Sequence, residues 1–267
     1  MLDNVDSNQL ISHVTGCIDT DNLLLEWAEA PWDTAIFGFP VLQIIRLEVR
    51  SPMADMNMAA FVFARDKSDC RFASCRLTHE QLRESMLLED HGFRFIEMLY
   101  QPEFCNLQEA EFSQTGLTVM PAGREDLPTL LDIAGNAFRN ERFHVDPRLN
   151  PQLGDQRYRN WVNNSLDHPS QRLNVIRDGS RLVAFFVTER LADETCYWHL
   201  NAVSPDAQGK GYGRRAWLAM LHRAQEEGAQ RVRTSIVARN HRVLNLYARL
   251  GFRFPPPQMT FHWVRSQ

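Results

Sequence analysis

Apolar residues along this chain fall into two kinds of run, short dense blocks and sets spaced three or four apart, and they alternate from end to end. In the first part, Val41–Val49 is rich in Val, Ile and Leu and predicts a strand. A second short apolar run covers Ala59–Ala64. Thr78 with Gln81 three positions on reads as a capping box, opening a helix through Leu82, Met86 and Leu87 that stops at Gly92. Phe93–Tyr100 returns as a strand, and the polar, aperiodic stretch Pro102–Gly116 separates the two parts. The reading is therefore mixed α/β in two domains, 1–112 and 113–267.

In the second part Thr118–Pro121 predicts a short strand, and Leu130, Leu131, Ile133, Ala134 and Phe138 a helix, with another helix near Gln156–Leu166. Leu173–Arg177 and Arg181–Glu189 flank Asp178-Gly179, a hairpin turn signal. Cys196–Val203 is a further strand; simple alternation places Tyr197, His199, Asn201 and Val203 on one of its faces. Gly211–Glu227 predicts a helix with Trp217, Leu218, Leu221 and Ala224 on roughly one side. Val232–Val237 is a strand, Arg242–Leu250 a helix closed by Gly251, and Met259–Val264 a last strand. Both parts contain a helix followed by Gly-Phe-Arg-Phe, at Gly92 and at Gly251, which hints at related folds.

Composition narrows the function classes. Hydrophobic residues at 44% and charged residues at 23% suit a globular chain with a core. A formal net charge of -4 argues against a general nucleic-acid binder. Charge is uneven, however: between Ala207 and Arg253 stand ten Lys/Arg and only Glu226 and Glu227. That local excess suits an anionic ligand, or simply a solvated basic face. The five cysteines form no C-x-x-C pair, which indicates neither a disulfide framework nor a metal site. The N-terminus lacks a signal pattern and no apolar run approaches a membrane span, so a soluble cytoplasmic protein is expected.

The chemistry concentrates in Gln208-Gly209-Lys210-Gly211-Tyr212-Gly213, between the strand ending at Val203 and the helix that follows. Unpaired N–H groups at a helix start favour an anion, and glycines let a phosphate approach the backbone. The spacing is neither a Walker A loop nor G-x-G-x-x-G. Val203–Gly213 resembles motif A of the GNAT superfamily, and Asn240–Phe252, with Asn240, Tyr247 and Gly251-Phe252, resembles motif B. The resemblance covers the chain from about Gly116 onward and implies an N-acetyltransferase using acetyl-CoA. It implies a C-terminal GNAT fold, a mixed and mostly antiparallel sheet flanked by helices, preceded by a smaller GNAT-like α/β domain. It further implies that Ala202 and Val203 meet the pantetheine arm and thioester, that Gln208, Gly209, Lys210, Gly211, Tyr212, Gly213 and Arg214 hold the pyrophosphate, and that Asn240 touches the cofactor.

In that scheme Tyr247 is the acid for the leaving thiolate, a phenol whose reference pKa is near ~10. His199, Glu189 or water takes the proton of the ammonium. Three further stretches, Trp32–Phe39, Leu87–Phe93 and Ala137–Phe143 with Tyr158 and Trp161 beyond, resemble the dTDP-fucosamine acetyltransferase branch. That resemblance implies a dTDP-amino sugar as acceptor, with Arg142 at its diphosphate, Phe143 or Tyr158 against the base, Asn201 nearby, and a homodimer as assembly. The competing readings are an acetyltransferase for another amine (a protein N-terminus, an amino acid, a polyamine or an antibiotic) and a silent acyl-CoA-binding module. No nucleic acid, membrane or metal enters the scheme.

Overall fold

The computed structural model describes residues 14–265. They form two compact units, one of residues 14–99, 145–149 and 256–265, the other of residues 100–144 and 150–255.

The first unit opens with the antiparallel pair β1 (Gly16–Asp19) and β2 (Leu23–Glu29), followed by the short helix α1 (Pro31–Phe37). Strand β3 (Val41–Val49) leads into helix α2 (Met58–Lys67), which contains the apolar run Ala59–Ala64. Strand β4 (Phe72–Thr78) leads into α3 (Leu82–Asp90), and β5 (Arg94–Tyr100) follows. The capping reading holds in part: the Thr78 N–H donates to Gln81 Oε1 at 2.9 Å, and Gln81 is the N-cap of α3. Beneath this sheet, Trp27, Ile44, Leu47, Met58, Phe61, Leu88 and Phe93 pack into one apolar cluster.

The second unit begins with the two-residue strand β6 (Glu103–Phe104) and β7 (Thr118–Pro121). Helices α4 (Leu127–Ala137), α5 (Arg142–Val145) and α6 (Pro151–Ser165) follow, the last starting earlier than its sequence pattern suggests because Asn150 caps it. Strands β8 (Gln171–Asp178), β9 (Arg181–Arg190) and β10 (Thr195–Val203) form an antiparallel meander. Helix α7 (Tyr212–Glu226), strand β11 (Arg231–Thr234) and helix α8 (His241–Arg249) complete the unit. Its sheet order is β6-β11-β10-β9-β8-β7, with β10 and β11 parallel. One face packs α7 and α8 through Phe186, Trp198, Trp217 and Tyr247; the other packs α4 and α6 through Leu130, Tyr158, Val187 and Leu200.

The chain ends in β12 (Gln258–Val264), which pairs antiparallel with both β4 and β5. Within the first unit the strand order is therefore β1-β2-β3-β4-β12-β5. This departs from the division at residue 112, which left the last strand with the second half. The alternation of Met259, Phe261 and Trp263 specifies a strand, but a strand's partners are non-local and do not show in its own pattern. The segment 145–149 likewise joins the first unit, where buried Asp146 accepts from Arg148 and pairs with His262 Nδ1 at 3.0 Å.

Candidate functional site

The glycine-rich turn adopts the geometry that its composition allows. Gly209 and Gly211 have φ of +76° and +81°, a left-handed conformation that only glycine takes without strain. A Cβ at either would meet nothing within 4 Å, so the backbone there faces open space. Gly211 is the N-cap of α7 and supplies no side-chain cap, and the first turn of the helix carries no acidic residue. The N–H groups of that turn thus keep their partial positive charge. Gln208, Lys210 and Arg214 are exposed around the turn. Not every nearby polar group points there: the Tyr212 hydroxyl donates to Asp178 at 2.7 Å, and Lys210 Nζ donates to the Asp206 carbonyl at 2.7 Å. Arg181 also reaches Asp206, whose carboxyl is held below its usual range by hydrogen bonds from Ser204 and Arg181.

Beside the turn, the parallel ladder between β10 and β11 stops at Trp198↔Thr234, while β10 continues to Val203. Thr234 Oγ1 closes the last rung by donating to the Trp198 carbonyl at 2.9 Å. Beyond that rung β10 runs on as an edge towards the start of α7, and Gln208 Nε2 donates to its last carbonyl, Val203, at 3.3 Å.

A bulge falls at the end of the ladder. On β9, Thr188 pairs with Trp198 and Val187 with Leu200, so His199 is the extra residue. This corrects the expected alternation, since a bulge shifts the side-chain period by one. Cys196, Trp198 and, beyond the bulge, Val203 pack towards α7 and α8, whereas Leu200 and Ala202 pack towards α4 and α6. His199 lies among Tyr197, at 4.8 Å between ring centroids, and Trp161, at 5.9 Å. Its Nε2 is 2.7 Å from Glu189 Oε2, and both side chains are buried. Glu189 is held below the usual carboxylate range by that hydrogen bond, against the opposing effect of burial.

Tyr247 sits on the other face, carried by α8 and packed edge-on against Trp217 and Phe252. Its hydroxyl donates to Asn201 Oδ1 at 3.5 Å, just past the end of the ladder. Burial pushes the phenol above its normal value, and hydrogen bonding only partly offsets that. Asn240 caps α8, its side chain accepting from the Val243 N–H at 3.3 Å.

The residues expected at the acceptor side form a separate group. Phe143 is 1% exposed, with the guanidinium carbons of Arg142 and Arg157 4.4 Å and 4.9 Å from its ring centroid. Tyr158 stacks on Phe138 at 4.4 Å. Arg142 is buried rather than displayed at the surface, so all three are part of the packing between α5 and α6. Sequence reasoning missed Trp161 as a neighbour of His199; its indole N–H donates to Gln171 Oε1 at 3.3 Å. Trp161 was visible only as an aromatic beyond Phe143. Among the described residues no group of His, Cys, Asp and Glu is arranged to hold a metal, and no helix is long and apolar enough to cross a membrane.

Residues 131–252 match the family model described as Acetyltransferase (GNAT) family. Over 245 residues the chain is 18% identical to the spore coat polysaccharide biosynthesis protein SpsD of Bacillus subtilis, covering 90% of this chain and 83% of that one. Over 139 residues it is 36% identical to the mycothiol acetyltransferase of Rhodococcus jostii, covering 49% of this chain and 43% of that one. A GCN5-related N-acetyltransferase from Kribbella flavida has the same fold, with a TM-score of 0.60, 16% identity, and coverage of 98% of this chain and 94% of that one. The segment 131–252 is thus similar to the GNAT acetyltransferases, a family that takes its acyl group from acetyl-CoA.

Proposed function

We propose that the protein transfers the acetyl group of acetyl-CoA to the amino group of a small molecule, with the Gln208–Arg214 turn holding the pyrophosphate. The observation that carries this is the juxtaposition of an uncapped, glycine-lined helix start with a strand edge that loses its partner at Trp198. The cofactor suits both parts: its diphosphate matches the free N–H groups of α7, and its amide-bearing arm matches the edge of β10 ending at Ala202 and Val203. When bound, acetyl-CoA supplies an activated thioester.

The chain's own groups handle the protons. His199 takes one from the acceptor ammonium, which frees the nitrogen lone pair to form the C–N bond. As the C–S bond breaks with its electron pair on sulfur, the Tyr247 hydroxyl gives that sulfur a proton. The second nitrogen proton restores the phenol, and His199 returns its proton to solvent. Asn201, which accepts from Tyr247, orients the hydroxyl. His199 and Tyr247 flank the sheet from opposite faces, so the acceptor approaches from the α4/α6 side and the thiol departs on the α7/α8 side.

The acceptor we favour is a dTDP-amino-deoxy sugar. Support comes from the resemblance of Trp32–Phe39 and Ala137–Phe143 to that branch, and from the polysaccharide-biosynthesis name of the long relative. Because Arg142, Phe143 and Tyr158 are buried, such a substrate meets them only after α5 and α6 shift. The similarity to a mycothiol acetyltransferase favours a second reading, an amine on a smaller acceptor. A panel of amines including dTDP-4-amino sugars, assayed with acetyl-CoA by release of free thiol, tests the proposal. Acetyl-CoA binding with no turnover on any amine overturns the enzymatic reading in favour of a silent acyl-CoA module.

A further inference from the structure

One buried carboxylate–imidazole pair on the α4/α6 face is only half used by this scheme. Glu189 stands opposite Tyr197 across β9 and β10, on the same side of the sheet as His199. Its Oε2 is 2.7 Å from His199 Nε2. The other ring nitrogen, Nδ1, is buried and has no hydrogen-bond partner among the described residues. Around the pair stand Tyr197 on β10, Trp161 on α6, and Ser170 and His168 before β8, the last two acting on Glu189. The Trp161 N–H is committed to Gln171.

An ionised carboxylate can only accept, so the nitrogen facing it must carry the proton. A neutral imidazole protonated at Nε2 keeps its lone pair on Nδ1. Glu189 is ionised at neutral pH, because its hydrogen bond from His199 lowers its pKa by more than burial raises it. The bulge sets the position, since His199 is the residue immediately after the last β10–β11 rung.

We infer that Glu189 is a positioning residue that locks His199 in the tautomer protonated at Nε2, leaving Nδ1 as the atom that takes the acceptor's proton. This rests on the acetyl-transfer reading above, and it removes Glu189 from the list of bases. In the step itself Nδ1 gains the ammonium proton, the Nε2–H stays on nitrogen, and the imidazolium so formed is stabilised by the adjacent carboxylate.

The test uses the full chain labelled with 15N-histidine. Long-range proton–nitrogen correlation spectra report which ring nitrogen is protonated, and His199→Gln identifies the His199 signals by their loss. The expected result is a protonated Nε2 and a bare Nδ1 in the wild type. Glu189→Gln, nearly isosteric, should shift the ring towards a mixture of tautomers, and Glu189→Asp should restore part of the preference. A wild-type ring protonated at Nδ1, or a tautomer ratio untouched by Glu189→Gln, overturns the inference. With an acceptor in hand, Glu189→Gln should lower kcat about tenfold or more and leave KM for acetyl-CoA unchanged. A screen that yields no acceptor overturns the proposed function, while the spectra still decide the tautomer.

Discussion

The two units carry the same backbone device with different chemistry. In each, one parallel pair of strands ends at a bulge: β3 and β4 part after Ile44↔Cys75, with Ile45 the extra residue against β2, and β10 and β11 part after Trp198↔Thr234, with His199 the extra residue. In each, the helix that follows the second parallel strand ends in the same way. Gln81 precedes Gly92 by the same eleven residues that separate Asn240 from Gly251. Both glycines have positive φ, and the next N–H bonds back to the helix, Phe93 to Leu88 and Phe252 to Tyr247.

At two matched positions a group proposed to move protons in the second unit corresponds to an aliphatic side chain in the first: His199 to Ile45 and Tyr247 to Leu88. Where Ser204-Pro205-Asp206-Ala207 is followed by Gln-Gly-Lys-Gly, Ser51-Pro52-Met53-Ala54 is followed by Asp-Met-Asn-Met. The free strand edge differs as well. In the first unit Gln81 Nε2 donates to the Leu47 carbonyl at 3.0 Å and Glu84 Oε1 accepts from the Val49 N–H at 2.9 Å. Helix α3 thus satisfies its own strand edge, where α8 presents Asn240 and Val243. A fold keeps its backbone rules, the bulge and the helix exit, while its chemistry is replaced residue by residue.

Four experiments break or sharpen this contrast. The largest effect is expected from Tyr247→Phe, the change that brings the second unit nearest to the Leu88 of the first. It should lower kcat about 100-fold with acetyl-CoA affinity within a few-fold; an unaltered kcat removes Tyr247 as the proton donor. Next is Gly211→Val, which forces a branched side chain into a left-handed conformation at a cost of about 1–2 kcal/mol. Isothermal titration should find one acetyl-CoA site per chain in the wild type, weakened about tenfold or more in the variant. A second site that survives the substitution means that the first unit binds the cofactor too, and the contrast fails.

Glu84→Ala tests the self-satisfied edge. It leaves the Val49 N–H without its acceptor and should cost about 1–3 kcal/mol in chemical denaturation, with acetyl-CoA affinity unchanged. The smallest effect is visible only in acid. Burial pushes the Asp146 carboxyl up, but hydrogen bonds from Arg148 and His262 outweigh it and hold the pKa well below the ordinary carboxylate range. A carboxylate depressed in the folded state contributes stability in full above its unfolded pKa, near ~4, and loses it as pH falls towards the folded value. Denaturation midpoints between pH 6 and pH 3 should fall more steeply for the wild type than for Asp146→Asn. Parallel slopes would show that this pair does not couple the first unit to pH.

Much of the second unit was legible from its residues. The Asp178-Gly179 hairpin, the α7 stripe through Trp217 and Leu221, and the helix closed by Gly251 all appear where local pattern puts them, because turn chemistry and period are properties of neighbours in sequence. The first unit was read less well. Strand β4 and the helical nature of Ala59–Ala64 were missed, since a strand buried on both faces and an apolar helix lack the alternation that distinguishes them. Of the candidate site, the turn and Tyr247 were named from their motifs, whereas the Glu189–His199 pair was seen only as two rival bases.

The amino-acid sequence by itself determined the glycine turn, the cap at Asn240 and the helix carrying Tyr247, since each depends on residues within a few positions of one another. Only the tertiary structure decided that β12 belongs to the first sheet, that a bulge turns Asn201 and Val203 to the Tyr247 side, away from His199, and that Glu189 meets the His199 imidazole. Those facts depend on strand partners and register, and a one-residue shift in register reverses every face beyond it while leaving the local sequence unchanged.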